Sequence, residues 1–482
     1  MGSTAYLACN PEFMKGHHTP KELAFDEGHG GAPRGALLAQ LFALVGGLGL
    51  FVWRARAGGP DGLGLAAFCA AGLAWMAGVW LLARGGKHAG LPLILLCALL
   101  LRVGVGAADV SLSDDVYRYL WEGDLVAQGQ SPYAFAPHAP ERAAQRERMP
   151  LVYARVNHTD ISAAYPIVTQ LACAAVMSSV PSASERKLEQ GVTRMRLFFG
   201  LCDLLVLLPL CALLRRRGLP LVRAFAWAAS PLVVLEFAGS AHFDSLGILL
   251  LVGALACLPE RARARGGVRE CLGMLLFSAA VWTKLLPLML LPMVLRGVGW
   301  RRRLAWLLGF SLVLHLPLLF LEDCSRGLLT GLGAYGTRWE GGSLIYRWLA
   351  EGGRELGLGI GAAAALGRGV AAAALLLVLV RLWRAGASAL DAAPVLLGTF
   401  ALFTPMLHPW YLTWLVPFLA LRPRLAWLWL LAAAPLLYEP LAGWRADGVW
   451  QESNWTWAVL ALPFAGLWLF HGRRAGIEPD QP

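Results

Sequence analysis

Two adjacent carboxylates, Asp114 and Asp115, stand in the stretch AADVSLSDDVYRYLWEGDLVAQGQSPYAFAP that begins at Ala107. Ser113 precedes them as an N-cap and Gly129 follows as a stop, so the acids are expected to open a short helix, where the dipole favours negative charge. At about 100° per residue, Asp114, Asp115, Arg118 and Glu122 share one sector while Val116, Tyr117, Tyr119 and Leu120 fill the rest. That pattern predicts an amphipathic helix lying along a membrane surface with its carboxylates toward a cavity. Arg118 and the helix N-terminus keep a carboxylate ionised, whereas two adjacent acids repel and raise the proton affinity of one of them, as a general base requires. Such a base could deprotonate a sugar hydroxyl. The plainer reading is a solvated helix cap. Paired carboxylates also suit an oxygen-loving divalent cation, the one candidate cofactor, whose ligands the sequence leaves unknown. Asp109 is a third candidate acid.

A second group of residues could hold an anion. Arginine outnumbers lysine 37 to 5, and Lys284 is the one lysine inside an apolar run. A cation at that depth costs about 2.5 to 3.5 kcal/mol on insertion scales, so it should face a cavity or an anion, either a lipid-linked phosphate or an acid such as Asp244; otherwise it snorkels from a helix end. His242 and Asp244, in GSAHFDS, are spaced i, i+2 and diverge on a helix, which argues against a shared metal site and leaves a plain cap by Asp244 as the bland alternative. His408, Trp410 and Tyr411, in HPWY, fit substrate contact and an interfacial aromatic belt equally well. The stretch GAYGTRWEGGSLIYRW from Gly333 carries Arg338, Trp339, Glu340 and Arg347; guanidinium forks match phosphate, so this segment is expected to clamp a phosphate, or else to be a surface helix with snorkelling arginines.

The elements that must position these groups follow from composition. The chain has 482 residues, 57% hydrophobic and only 15% charged, with a mean hydropathy of +0.56. Soluble domains carry about 45 to 50% apolar and about 25% charged residues. This chain cannot cover itself in water, which excludes a soluble enzyme, a disordered chain and a disulfide scaffold. An all-α, polytopic transmembrane bundle with about 12 to 14 membrane segments is expected, with short amphipathic helices in its outer loops. The net charge of +11 sits in short clusters between apolar runs, at Arg215, Glu260, Trp300 and Gly472, which marks one side as cytoplasmic. No basic stripe is available to follow nucleic acid. The nine cysteines fall mostly in apolar runs without a C-x-x-C pair and read as small core residues, and no cleavable signal peptide is visible.

On this reading residues 1–34 are a polar tail, 35–106 the first three spans, 107–164 a first large extracytoplasmic loop, and 165–321 a transmembrane core. Residues 322–357 are a second extracytoplasmic loop, 358–471 the C-terminal spans, and 472–482 a cytoplasmic tail. Residues 165–181 are expected to dip into the membrane and return, and 270–296 to be two short helices meeting at a break near Lys284. A transporter or flippase of a lipid-linked or anionic substrate is the rival class; it predicts charges along a central path and symmetry-related broken helices, whereas polarity here concentrates in the two loops.

With the acidic motif, AAYPIVTQL, AWAASPLVVLEFAGSAHFDSLGILLL, AVWTKLLPLMLLP and FTPMLHPWYLTWLVPFLAL in place, the sequence from about 101 to 421 resembles the GT-C superfamily of integral-membrane glycosyltransferases. It is most similar to the bacterial polyprenyl-phosphate-mannose-dependent mannosyltransferases and glycosyltransferase family 87, and more distantly to the eukaryotic enzyme that adds the first mannose of the GPI anchor. The resemblance implies an inverting transfer of a hexose, mannose above all, from a polyprenyl-phosphate sugar to an extracytoplasmic glycan or lipid acceptor. It places the site on the outer face of a bacterial plasma membrane, with Asp114 or Asp115 as base. Arg118, His242, Asp244, Lys284, Arg338, Arg347, His408 and Tyr411 would contact substrate. Many members space their acids D-x-D; here they are contiguous, which leaves open which one acts and whether a metal is held.

Overall fold

The computed structural model describes residues 34–58, 61–85, 90–108, 112–177, 184–260, 267–296, 299–323, 326–327 and 329–475. Most of the two terminal tails and Asp109 therefore lie outside the described residues. The described chain is helical and holds no strand, only two isolated parallel bridges, Gln130 to Glu322 and Gly341 to Met406. In order the helices are α1 (Arg34–Gly58), α2 (Gly62–Gly85), α3 (Leu91–Ala107), α4 (Asp115–Ala127), α5 (Ile167–Met177) and α6 (Glu185–Arg216). A bent pair follows, α7 (Leu221–Ala228) and α8 (Pro231–Gly239), then α9 (Asp244–Cys257), α10 (Gly267–Thr283), α11 (Leu286–Leu295) and α12 (Trp300–Phe320). The C-terminal part comprises α13 (Thr330–Arg338), α14 (Tyr346–Glu355), α15 (Ile360–Arg384), α16 (Ala389–Phe403), α17 (Pro409–Leu421), α18 (Leu425–Arg445) and α19 (Asn454–Ala475).

Six of these, α1, α2, α6, α12, α15 and α18, are long and apolar enough to cross a bilayer, and the α7/α8 pair is a seventh candidate, bent by 56°. Seven further apolar helices are shorter. Among them α5, with 11 residues, spans about 16 Å at 1.5 Å per residue, half of a hydrocarbon core of about 30 Å. By this length it is too short to cross alone. The expected break in 270–296 is present: α10 ends at Thr283, Lys284 lies between helices, and α11 begins at Leu286.

The bend between α7 and α8 follows from Ser230 and Pro231. Ser230 caps α8 by accepting from the Val233 amide, and Pro231 fits the first helical turn but cannot continue the helix before it. Carbonyls freed at such a break must find donors in a membrane. Arg102 of α3 gives one N–H to the Ala228 carbonyl at 2.5 Å and clasps Asp203 of α6 through two bonds of 2.7 and 2.9 Å, while the Trp75 indole donates to Ala226. This ion pair ties three helices at the bend.

The sequence predicts α4 as a surface helix, and here the structure corrects it. Residues Val116 and Arg118 through Leu125 are all buried, in a core of their own with Met149, Val152, Cys173, Val192, Phe199 and Phe243. The sector holding Arg118 and Glu122 is sheathed by the 153–165 loop and α5, so both helix faces are covered. The helix also starts one residue later than expected: Asp114 is the N-cap residue without capping through its side chain, and the Ser113 hydroxyl accepts from the Asp115 amide at 3.2 Å. Packing of α4 on α5 requires Gly123, since an added Cβ would lie 2.8 Å from the Cys173 backbone. Gly123→Ala is expected to cost about 1 to 3 kcal/mol by overpacking, read as a lower thermal midpoint of the purified protein in detergent.

Charge sorts to opposite ends of the bundle. Past the C-terminus of α9, Glu260 pairs with Arg216 and Arg217, and Arg217 also reaches Asp391; near the start of α10, Glu270 pairs with Arg302 and Arg303. The opposite ends of these two helices carry Asp244 and Lys284.

Candidate active site

Three helix ends converge here, the start of α4, the start of α9 and the end of α10. Asp115 is held at the mouth of this site with its side chain 16% exposed. Its Oδ1 accepts from the Asn157 amide at 2.8 Å and its Oδ2 from the Tyr165 hydroxyl at 3.3 Å. The same Asn157 amide donates to Asp114 Oδ1 at 2.9 Å, but Asp114 itself is exposed. Burial, followed by the charge of Asp114, pushes the Asp115 carboxyl up to about 6, against the opposing pull of the Asn157 hydrogen bond and the Arg118 charge. The two acids are therefore unequal.

Arg118 does not face open space. Its guanidinium donates to Glu122 at 2.8 Å, to the Asn157 and His158 carbonyls at 3.0 and 3.1 Å, and to the Ile161 carbonyl at 2.5 Å. It is a clamp that fixes the loop carrying Asn157, while Gln170 of α5 completes Glu122 at 2.6 Å. His158 takes a left-handed φ of +47° in this loop; burial and the nearby Arg118 charge hold its imidazole below the usual range.

Asp244 opens α9 fully buried. It caps nothing through its side chain; instead its Oδ1 accepts from Lys284 at 2.7 Å and from the Trp414 indole at 2.6 Å, leaving Oδ2 without a partner. The Lys284 ammonium also lies over the Tyr411 ring at 3.9 Å and the Phe243 ring at 5.4 Å. Phe243 in turn packs on Tyr165 at 4.7 Å between centroids, which links the Lys284 group to the Asp115 group through two rings. As the i, i+2 spacing predicts, His242 points elsewhere: its Nδ1 is 3.9 Å from Asp115 Oδ2 and 3.3 Å from the Tyr119 hydroxyl.

The C-terminal half closes the site from above. Gly341 bonds to Pro405 and Leu407, pinning the HPWY segment beside α13. There Tyr411 meets Tyr335 hydroxyl to hydroxyl, and Trp410 is sandwiched between His242 at 3.9 Å and His408 at 4.2 Å. Trp410 and Tyr411 are thus interior residues, which removes the aromatic-belt alternative. Gly331 allows α13 to rest on the Ser162 and Ala163 carbonyls, where a Cβ would come within 2.4 Å. At the far end of α13, Arg338 pairs with Asp160 at 3.2 Å, both well exposed, and Trp339 packs on His158 at 4.6 Å. Arg347 is not brought to this cluster: it bonds Glu351 at 2.8 Å and Asn454 at 2.7 Å.

A divalent cation does not fit the acid pair. The Asn157 amide nitrogen sits between Asp114 and Asp115 as a donor to both, and among the described residues no three His, Cys, Asp or Glu side chains group as ligands.

Sequence reasoning passed over Glu236, Tyr119, Asn157, Tyr165 and Tyr335. Glu236 carried a readable signal, since an acid inside the apolar run LVVLEFAG raises the same question as Lys284. The others are ordinary residue types whose role comes only from the fold.

The family model for the alpha-(1->6)-mannopyranosyltransferase N-terminal domain matches residues 32–299, which include Asp114, Asp115, His242, Asp244 and Lys284 and stop short of Arg338 and His408. No curated protein and no solved structure matches the chain. With the match covering more than half of the sequence, the chain belongs to the alpha-(1->6)-mannopyranosyltransferase family and is a multi-pass, mannose-transferring glycosyltransferase.

Proposed function

We propose that the protein transfers mannose from a polyprenyl-phosphate donor to a hydroxyl of an extracytoplasmic glycan or lipid acceptor, with inversion, and that Asp115 is the general base. The observation that carries this reading is the placement of Asp115: a carboxyl at the site mouth, raised toward neutrality and joined to the Lys284 cation through the Tyr165 and Phe243 rings. Asp115 takes the acceptor proton. The acceptor oxygen attacks the anomeric carbon, the bond from that carbon to the phosphate oxygen breaks, and the charge on the departing polyprenyl phosphate is met by Lys284 and Arg338. His408 and Tyr411 line the donor side, and Asp244 holds Lys284 in place. Arg118 orients the loop, and Arg347 steadies α14 without touching substrate. With the basic clusters on the cytoplasmic side, this end of the bundle faces outward from a bacterial plasma membrane.

The pH profile of the purified enzyme tests the base directly. Only the ionised carboxylate accepts a proton, so kcat/KM should rise with pH below about 6 and level off above it. Asp114→Asn removes one of the charges that raise Asp115 and should move this limb to lower pH with most of the plateau rate retained. Asn157→Ala removes an opposing hydrogen bond and should move it to higher pH. A limb that stays fixed in both variants would show that another group titrates.

A further inference from the structure

Glu236 takes no part in the transfer steps, yet it is fully buried on α8. An ionisable side chain among apolar helices costs about 2.5 to 3.5 kcal/mol on insertion scales and calls for a partner. One oxygen, Oε1, accepts from the Tyr438 hydroxyl at 2.6 Å. The other, Oε2, lies 3.3 Å from His242 Nε2, and both of these buried atoms lack any other hydrogen-bond partner. Two such atoms facing each other are completed by one shared proton.

The backbone is shaped to bring them together. Residues Leu235–Gly239 form a π-helical turn, Ser240 N–H closes on the Leu235 carbonyl at 2.9 Å, and His242 N–H returns to the Glu236 carbonyl at 3.0 Å. Between them Ala241, a buried non-glycine residue, is held at φ +60°. Arg196 secures the end of the turn by donating to the Gly239 carbonyl at 2.7 Å. A π-turn followed by a left-handed alanine is unfavourable backbone, and such features persist where the side chains they aim have work to do.

His242 then faces two ways. Its Nε2 is toward Glu236, and its Nδ1 is toward the Tyr119 hydroxyl at 3.3 Å and Asp115 Oδ2 at 3.9 Å. The ring lies flat on Trp410, whose other face carries His408. The remaining charged and titratable groups around it are Lys284, neutralised by Asp244, and Tyr438 beyond Glu236.

We infer that Glu236 and His242 form a proton relay behind Asp115, with Glu236 as the positioning residue. The inference rests on the reading of Asp115 as base. Glu236 holds the proton of His242 on Nε2, which makes Nδ1 an acceptor facing the Tyr119 hydroxyl and Asp115. The acceptor O–H bond breaks, its proton moves to Asp115 Oδ2 and its electron pair to the anomeric carbon. The new Asp115 O–H bond then breaks as the proton passes to His242 Nδ1, and the imidazolium is stabilised by the Glu236 carboxylate and the Trp410 face. The proton leaves to water once product departs, and Asp115 is ionised again for the next turnover.

The test uses the full-length protein in detergent with polyprenyl-phosphate mannose as donor, comparing Glu236→Gln, His242→Gln, their double variant, His242→Gly, Tyr438→Phe and Asp115→Asn. Glu236→Gln and His242→Gln should each lower kcat about 10- to 100-fold with donor KM unchanged. The double variant should be no slower than the slower single variant, since a chain broken once is already broken. Tyr438→Phe, which preserves packing, should lower kcat a few-fold, and added imidazole should restore part of the rate of His242→Gly. Multiplying losses in the double variant, a raised donor KM with kcat intact, or no rescue by imidazole would overturn the relay. If Asp115→Asn is inactive while Glu236→Gln and His242→Gln turn over at the wild-type rate, the relay fails and the base stands; if Asp115→Asn itself is fully active, the base reading fails first.

Discussion

Asp115→Asn is expected to slow mannosyl transfer by about 10²- to 10⁴-fold, the contribution of a positioned general base, with little change in donor KM. The amide keeps the shape of the side chain and can still accept from Tyr165, but it cannot take a proton. The same substitution should raise stability at neutral pH. The folded-state carboxyl is raised from an ordinary value of 3.8 to about 6, so the fold binds protons more tightly than the unfolded chain does. The stabilisation this gives is complete below about pH 4, fades as pH rises toward about 6, and is absent at pH 7, where the ionised group strains the fold. An amide removes that strain. Kinetics and thermal unfolding on one preparation should therefore diverge, activity falling while the midpoint holds or rises. Loss of both would assign Asp115 a structural role instead. Asp114→Asn is the internal control, because Asp114 is exposed and acts on Asp115 only through its charge and the shared Asn157 amide.

Lys284→Met carries the second large effect, and it acts twice. Removing the ammonium strips Asp244 of a 2.7 Å partner in a fully buried position, and an uncompensated buried charge costs about 3 to 5 kcal/mol. The departing phosphate also loses a cation, worth about 10²- to 10³-fold in rate when one stabilising donor is deleted from an active site. The two contributions separate in the double variant Lys284→Met, Asp244→Asn. The Trp414 indole can still donate to the amide oxygen at position 244, so thermal stability should return to near the wild-type value while activity stays low. If activity returns together with stability, Lys284 serves only to neutralise Asp244.

How much of this was legible in the sequence depends on what each residue answers to. Lys284 and its partner Asp244 were readable because a lone cation in an apolar run has so few affordable neighbours, and the break between α10 and α11 followed from Pro287 and Pro292 around it. The acid pair was readable as chemistry, but its asymmetry was not. Which carboxyl is sheltered depends on Asn157 and Tyr165, some 42 and 50 residues away, and on a loop that Arg118 holds closed. The same loop explains why α4, amphipathic on paper, is buried: its polar sector is satisfied internally by Gln170 and by backbone carbonyls. Arg338 and Arg347 looked alike as phosphate forks, and only the packing of α13 over the 157–163 loop separates the one paired with Asp160 of that loop from the one bound to Asn454. Glu236 was legible by the Lys284 argument, applied to an acid.

The stereochemistry of transfer tests the central claim most directly. The reconstituted full-length protein is supplied with polyprenyl-phosphate mannose of defined anomeric configuration and a mannoside acceptor, and the new linkage is read by nuclear magnetic resonance. A single displacement assisted by Asp115 predicts a product of the opposite anomeric configuration to the donor, formed by the wild-type protein and lost in Asp115→Asn. A product that keeps the donor configuration would require a second displacement on an enzyme nucleophile and would contradict the assignment of Asp115 as a general base.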